Sequence, residues 1–135
     1  MNKKNYIKSA VKAANTQISE LKKIKKVFNS KFIDAIDLIL NCKGKVIFSG
    51  VGKNSFICKK ASATFSSIGV PSFFVDPTGV SHGDAGQIEK KDILIIISNS
   101  GNTAELTNLL KFANRFRIKI IGIASNAKSM LLRAS

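Results

Sequence analysis

The rhythm of apolar and polar positions changes twice along the chain. Ile7, Val11, Ala14, Ile18, Leu21 and Phe28 recur at helical spacing, with lysines between them. That period predicts an amphipathic helix. Asn29-Ser30 interrupts it, and Ser30 is placed to N-cap a second helix, Lys31 to Leu40, striped by Phe32, Ile33, Ile36 and Ile39. The rhythm then shortens. Val46-Ile47-Phe48-Ser49, set between Gly44 and Gly50, reads as a buried strand. Ile57, Ala61, Phe65 and Ile68 predict a helix face closed by Gly69. Ser72-Phe73-Phe74-Val75 is a second strand between Pro71 and Asp76-Pro77.

A glycine-containing segment, Thr78 to Gly86, precedes the clearest strand, Asp92 to Ser98. Its run of Ile93-Leu94-Ile95-Ile96-Ile97 has no polar alternation, which means burial on both faces, as in a parallel sheet. Leu106, Leu109, Leu110 and Ala113 then mark a helix, Ile118 to Ala124 a fourth strand, and Met130-Leu131-Leu132 the start of another helix. Strand and helix alternating at this rhythm predict an α/β fold, a doubly wound parallel sheet with flavodoxin-like layering. Residues 1–30 are expected to form an N-terminal helical arm suited to dimerisation, and residues 31–135 the sheet domain.

Composition narrows the function classes. The 135 residues fit one domain, and 44% hydrophobic content supports a real core. The net charge of +14 suits phosphorylated metabolites, nucleic acid or anionic lipid, but it also fits lysine-rich solvated faces. The lysines fall in helical patterns rather than one basic block, so nucleic acid is not the expected partner. Cys42 and Cys58 form no CxxC pair and, with the single His82, no metal-ligand cluster. No apolar run is long enough to span a bilayer, and charges break any signal-peptide core, so a cytoplasmic location and no membrane partner are expected.

In a doubly wound sheet, ligands bind beyond the carboxyl ends of the strands. Two loops there carry candidate chemistry. Ser49-Gly50-Val51-Gly52-Lys53-Asn54-Ser55 follows the first strand, and glycines ahead of a helix let the backbone approach an anion. It matches neither a Walker loop, because Ile47 and Asn54 occupy required positions, nor a dinucleotide fingerprint, because Ser55 stands where the third glycine belongs. A tight turn needs no lysine, so Lys53 points to a bound phosphate or an enolate.

Ser98-Asn99-Ser100-Gly101-Asn102-Thr103-Ala104-Glu105 follows the strongest strand and opens a helix. Its hydroxyls, amides and helix N–H groups make a neutral phosphate cradle. Asn102 and Glu105 also have the spacing of a capping box, the plain structural alternative. A third segment, Ser81-His82-Gly83-Asp84, places the only histidine beside Asp84, which could orient it as a base or substrate contact.

Taken together, Ser49-Gly50-Val51-Gly52-Lys53, Pro71 to Val75, His82-Gly83-Asp84 and Ser98-Asn99-Ser100-Gly101 resemble the sugar isomerase (SIS) domain, and most narrowly its arabinose-5-phosphate isomerase branch. The resemblance runs from about Phe32 to the C-terminus. It implies interconversion of D-ribulose 5-phosphate and D-arabinose 5-phosphate through an enediol, feeding Kdo and lipopolysaccharide synthesis, with no cofactor, no metal and a homo-oligomeric assembly. It assigns Lys53, Glu105 and His82 to catalysis. Gly50, Gly52, Ser55, Ser98, Asn99, Ser100 and Thr103 fall to the substrate and its phosphate. Asn102 departs from the family, which carries an acid there. The family's fifth strand, second catalytic carboxylate and His-Pro-Gly segment have no counterpart before Ser135, so the chain is expected to be a fragment lacking the last strand. The alternative is a non-catalytic module that senses a sugar phosphate within a regulator.

Overall fold

The computed structural model describes residues 3–135. Two compact units divide at Asp37/Leu38. In the first, α1 (Lys3–Lys23) runs into a 3-10 turn, and α2 (Ser30–Leu40) begins after it. The expected stripe is helical, but Ile7, Val11, Ile18 and Leu21 are each more than half exposed within this chain. The cap of α2 differs by one residue from the sequence reading. Asn29, not Ser30, holds the end, its Oδ1 accepting from the N–H groups of Lys31 at 3.0 Å and Phe32 at 3.4 Å. The longer Asn side chain reaches back over the first turn, while Ser30 already lies inside the helix.

The second unit is built on four parallel strands: β1 (Val46–Gly50), β2 (Ser72–Val75), β3 (Ile93–Ile97) and β4 (Lys119–Ile123), in the order β2-β1-β3-β4. Helices α3 (Lys53–Ser67), α4 (Leu106–Phe116) and α5 (Met130–Arg133) connect or follow them. The α/β parallel-sheet prediction is borne out. Strand side chains alternate between two layers. Val46, Phe48, Ile93 and Ile95 pack with Cys58, Ala61 and Phe65 of α3 and with Leu38 and Ile39 of α2. Ile47, Leu94 and Ile96 face the other way, against Leu106, Leu109, Leu110 and Ala113 of α4 and Leu131 of α5. The chain winds outward from β1 to β2 and then back to β3 and β4, so the order reverses between β1 and β3.

The packing face of α3 bears out part of the predicted stripe and corrects the rest. Ala61 and Phe65 pack on the sheet, but Ile57 and Ile68 are 59% and 70% exposed, while Cys58 and Ser62 are buried. Small residues let this helix close on the sheet. A Cβ added to Gly50 would meet Cys58 Sγ and Asn54 Cβ at 3.1 Å, so the strand-to-helix crossing already uses the room that a missing side chain leaves.

At the opposite end of the sheet, Asp92 clamps β1 to β3. Its carboxylate is 1% exposed and accepts from the backbone N–H groups of Lys45 at 2.7 Å and Glu89 at 2.8 Å. Lys45 Nζ stands 3.4 Å from Asp92 and 2.7 Å from Glu89. That lysine lowers the Glu89 pKa below the ordinary carboxylate value, mainly through their hydrogen bond.

Candidate active site at the carboxyl edge of the sheet

Because β1 and β3 are adjacent, parallel and paired up to Gly50 with Ile97, the loops that follow them leave side by side at the reversal point. The glycine-lysine loop and the serine-rich loop, far apart in sequence, share one edge.

The first loop turns through Gly52, whose φ of 60° lies in the region that favours glycine. Lys53 is the first residue of α3 and exposed. No side chain caps this helix and its first turn carries no acid, so the positive end of its dipole faces outward beside the lysine. Ser55 is half-buried, and its hydroxyl donates to the Gly52 carbonyl at 2.7 Å, closing the turn on itself.

The second loop is shaped from within. Ser98 is 4% exposed. Its Oγ lies 2.9 Å from Thr103 Oγ1 and accepts from the Gly101 N–H at 3.1 Å. Ser98 therefore folds the cradle, while Asn99 and Ser100 stand at its exposed rim. The Ser100 hydroxyl accepts from the Asn102 N–H at 3.2 Å, which fixes a short turn.

The capping box that the Asn102–Glu105 spacing offered as the plain alternative does not form. Asn102 Oδ1 instead accepts from the N–H of Met130, 2.8 Å away and 28 residues on. It caps α5, not α4. Glu105 occupies the N-cap position of α4, but its carboxylate makes no cap bond and is exposed. It stands open at the edge of the sheet.

The loop after β4 forms a further wall that the sequence reading missed. The Ser125 N–H and hydroxyl both reach Asn99, at 2.9 Å to its carbonyl and 2.6 Å to its Oδ1. The Leu131 N–H reaches the Gly101 carbonyl at 3.0 Å, and a Cβ on Gly101 would collide with Ser129. The run of polar residues after the fourth strand, Ser125-Asn126, was the available signal, since each loop at that edge is a site candidate.

His82 ends a 3-10 turn (Gly79–His82) that follows β2, and it is exposed. Asn108 of α4 holds this turn by donating to Ser81 Oγ at 2.7 Å. Asp84 does not orient His82 as expected. Its carboxylate folds against Gly79, where it occupies the space a Cβ would need, with Gln87 Nε2 at 3.5 Å. Beneath the loops, Ser49 Oγ at the end of β1 is buried with no hydrogen-bond partner among the described residues. No group of three or more potential metal ligands occurs among the described residues.

The loops after β1 and β3 supply an ammonium, an exposed carboxylate and a set of hydroxyls and amides along one edge. That combination suits an anionic ligand whose neighbouring carbon must gain or lose a proton.

A family model for the SIS domain matches residues 39–135. Arabinose 5-phosphate isomerase KdsD of Francisella tularensis is 43% identical over 97% of this chain, which is 41% of that protein. The enzyme of the same name from Pseudomonas aeruginosa is 37% identical over 97% of the chain and 40% of its own length. The chain thus spans about two-fifths of these curated relatives. The solved structure of an E. coli CFT073 protein in complex with arabinose 5-phosphate superposes with a TM-score of 0.92 at 35% identity, covering 99% of this chain and 71% of that one.

Proposed function

Because the chain belongs to the SIS-domain family, we propose that it binds a phosphorylated pentose at this edge and serves the interconversion of D-arabinose 5-phosphate with D-ribulose 5-phosphate. One observation carries the reading. The loops bearing Lys53 and Ser98 to Glu105 emerge together from paired strands, so a phosphate and the adjoining sugar carbons can be held between them. The relatives' names and the sugar-phosphate complex of the E. coli neighbour supply the sugar. In this reading the protein is cytoplasmic, acts as a homo-oligomer and needs no cofactor or metal.

In this proposal Ser100, Thr103 and the loop N–H groups take the phosphate oxygens, with Ser98 fixing their geometry and Gly50, Gly52, Asn99 and Ser55 shaping the walls. Helix N-termini and hydroxyls bind phosphate through many donors, which suits a ligand that must also leave. A base removes the proton from C2 of the aldose. The electron pair forms the C1–C2 double bond, and charge develops on O1. Lys53 stabilises that oxyanion. The O2 proton passes to O1, and a proton returned to C1 as the C2–O2 carbonyl forms gives the C2 ketone with a C1 hydroxymethyl group. Glu105 and His82 are the groups assigned to these transfers. The balance needs no oxidant or reductant.

The test is loss of the C2–H signal of D-arabinose 5-phosphate in D2O, followed by proton NMR with and without the protein. Catalysed exchange together with the appearance of ribulose 5-phosphate supports the reaction. Saturable binding without exchange keeps the substrate and removes the catalytic role from this stretch of chain. Absence of both contradicts the proposal.

A further inference from the structure

We propose that Lys128, on the turn after β4, supplies a second ammonium group to the phosphate cradle and raises its affinity for phosphorylated over neutral sugars. The proposal rests on the reading above, that the cradle takes a phosphate.

The turn is short and fixed. Asn126 organises it, its Oδ1 accepting from the Lys128 N–H at 3.0 Å and its carbonyl from the Ser129 N–H at 3.0 Å. Both flanks of the turn are tied to the cradle. On one side Ser125 binds Asn99 twice, at 2.6 and 2.9 Å. On the other, Met130 binds Asn102 at 2.8 Å and Leu131 binds Gly101 at 3.0 Å. Ser129, the residue next to Lys128, is fully buried and packs against Gly101. Lys128 is therefore held at the rim of Ser98 to Thr103 by its neighbours on each side.

Its charge is uncompensated. Neither Lys128 nor Lys53 takes part in an ion pair among the described residues, where the paired lysines are Lys23 and Lys45. Residues 124–135 contain no acidic side chain, and Glu105 is the only acid between Ser98 and Ser135. An exposed lysine on a flexible stem does not need a fixed contact to act. A phosphate monoester carries about −1.5 to −2 charges at neutral pH. An ammonium about 7 Å from such a dianion, at water-like dielectric, changes affinity roughly five- to tenfold at low ionic strength, and about two- to threefold near 0.15 M salt.

The experiment is calorimetric titration of the whole chain with D-arabinose 5-phosphate at two salt concentrations. It compares wild type, Lys128→Gln, Lys128→Glu and Lys119→Gln. Lys119 opens β4, at the opposite end of the strand, so its loss changes net charge equally but far from the cradle. The expected result is roughly five- to tenfold weaker binding for Lys128→Gln at low salt, more for Lys128→Glu, and little change for Lys119→Gln. The deficit shrinks as salt rises. Equal affinities for Lys128→Gln and Lys119→Gln, with wild type binding normally, overturn the role of Lys128 and leave the cradle intact. Failure of wild type to bind overturns the underlying phosphate reading instead.

Discussion

Replacing Gly101 with alanine tests how tightly the cradle is built. Gly101 has φ of 65°, and an added Cβ would lie 2.5 Å from Ser129 Cβ and 3.0 Å from Ala124 Cβ. The backbone cannot slide away easily, because its N–H is held by Ser98 and its carbonyl by Leu131. Two costs add. The left-handed conformation costs alanine about 1 kcal/mol. Forcing a methyl into filled space costs about 1–3 kcal/mol more. Gly69→Ala is the control, since Gly69 also has a positive φ, 87°, in the turn that ends α3, while nothing lies within 4 Å of the added Cβ. Urea denaturation should therefore place Gly101→Ala about 2 kcal/mol below Gly69→Ala. At an m-value of about 1.5 kcal/mol per M, that is a midpoint gap of roughly 1.3 M. Because the clash pushes the turn after β4 away from the cradle, Gly101→Ala should also lose phosphate affinity while still folded. Midpoints that coincide would refute the packing argument, and with it the pinning of the two loops.

Three further outcomes are expected. Ser49→Ala removes a buried hydroxyl that has no partner among the described residues, so thermal unfolding should show stability unchanged or raised by up to about 1 kcal/mol; a clear loss would mean the hydroxyl is satisfied in solution. Glu89→Gln probes the Lys45 pair: the Glu89 pKa is depressed, so its contribution is present above the unfolded carboxylate pKa and lost as pH falls through the folded one, and wild type and variant should converge in stability in acid. A difference that persists there would place the effect elsewhere than in the ion pair. Lys53→Ala, followed by C2 proton exchange, should lower the rate about a hundredfold or more with the melting curve unchanged, and an unaltered rate would remove Lys53 from the chemistry.

Much of this architecture was legible in the sequence because the strands are buried on both faces. Ile93 to Ile97 could not alternate, and so announced the centre of a parallel sheet. Ser72 to Val75 was bracketed by proline on one side and Asp76-Pro77 on the other. What escaped were contacts whose partners are remote. A capping box and a long-range latch look alike in sequence, since both begin with an Asn ahead of a helix; only the fold brings Met130 to Asn102. Helix α3 was half legible: Ala61 and Phe65 of the predicted stripe pack on the sheet, while Ile57 is exposed and Ile68 lies just past the helix. Close approach to the sheet selects small side chains, which hydropathy does not flag. Asp92 read as an ordinary strand boundary, and its role as a clamp appears only when β1 lies beside β3.

The most direct measurement is a 1H–15N correlation titration of the labelled chain with D-arabinose 5-phosphate. The account predicts saturable shifts at Gly50 to Ser55, Ser98 to Glu105 and Ser125 to Ser129, with unphosphorylated arabinose producing none of comparable size. Shifts confined to residues outside these loops, or equal responses to the sugar with and without its phosphate, would contradict it.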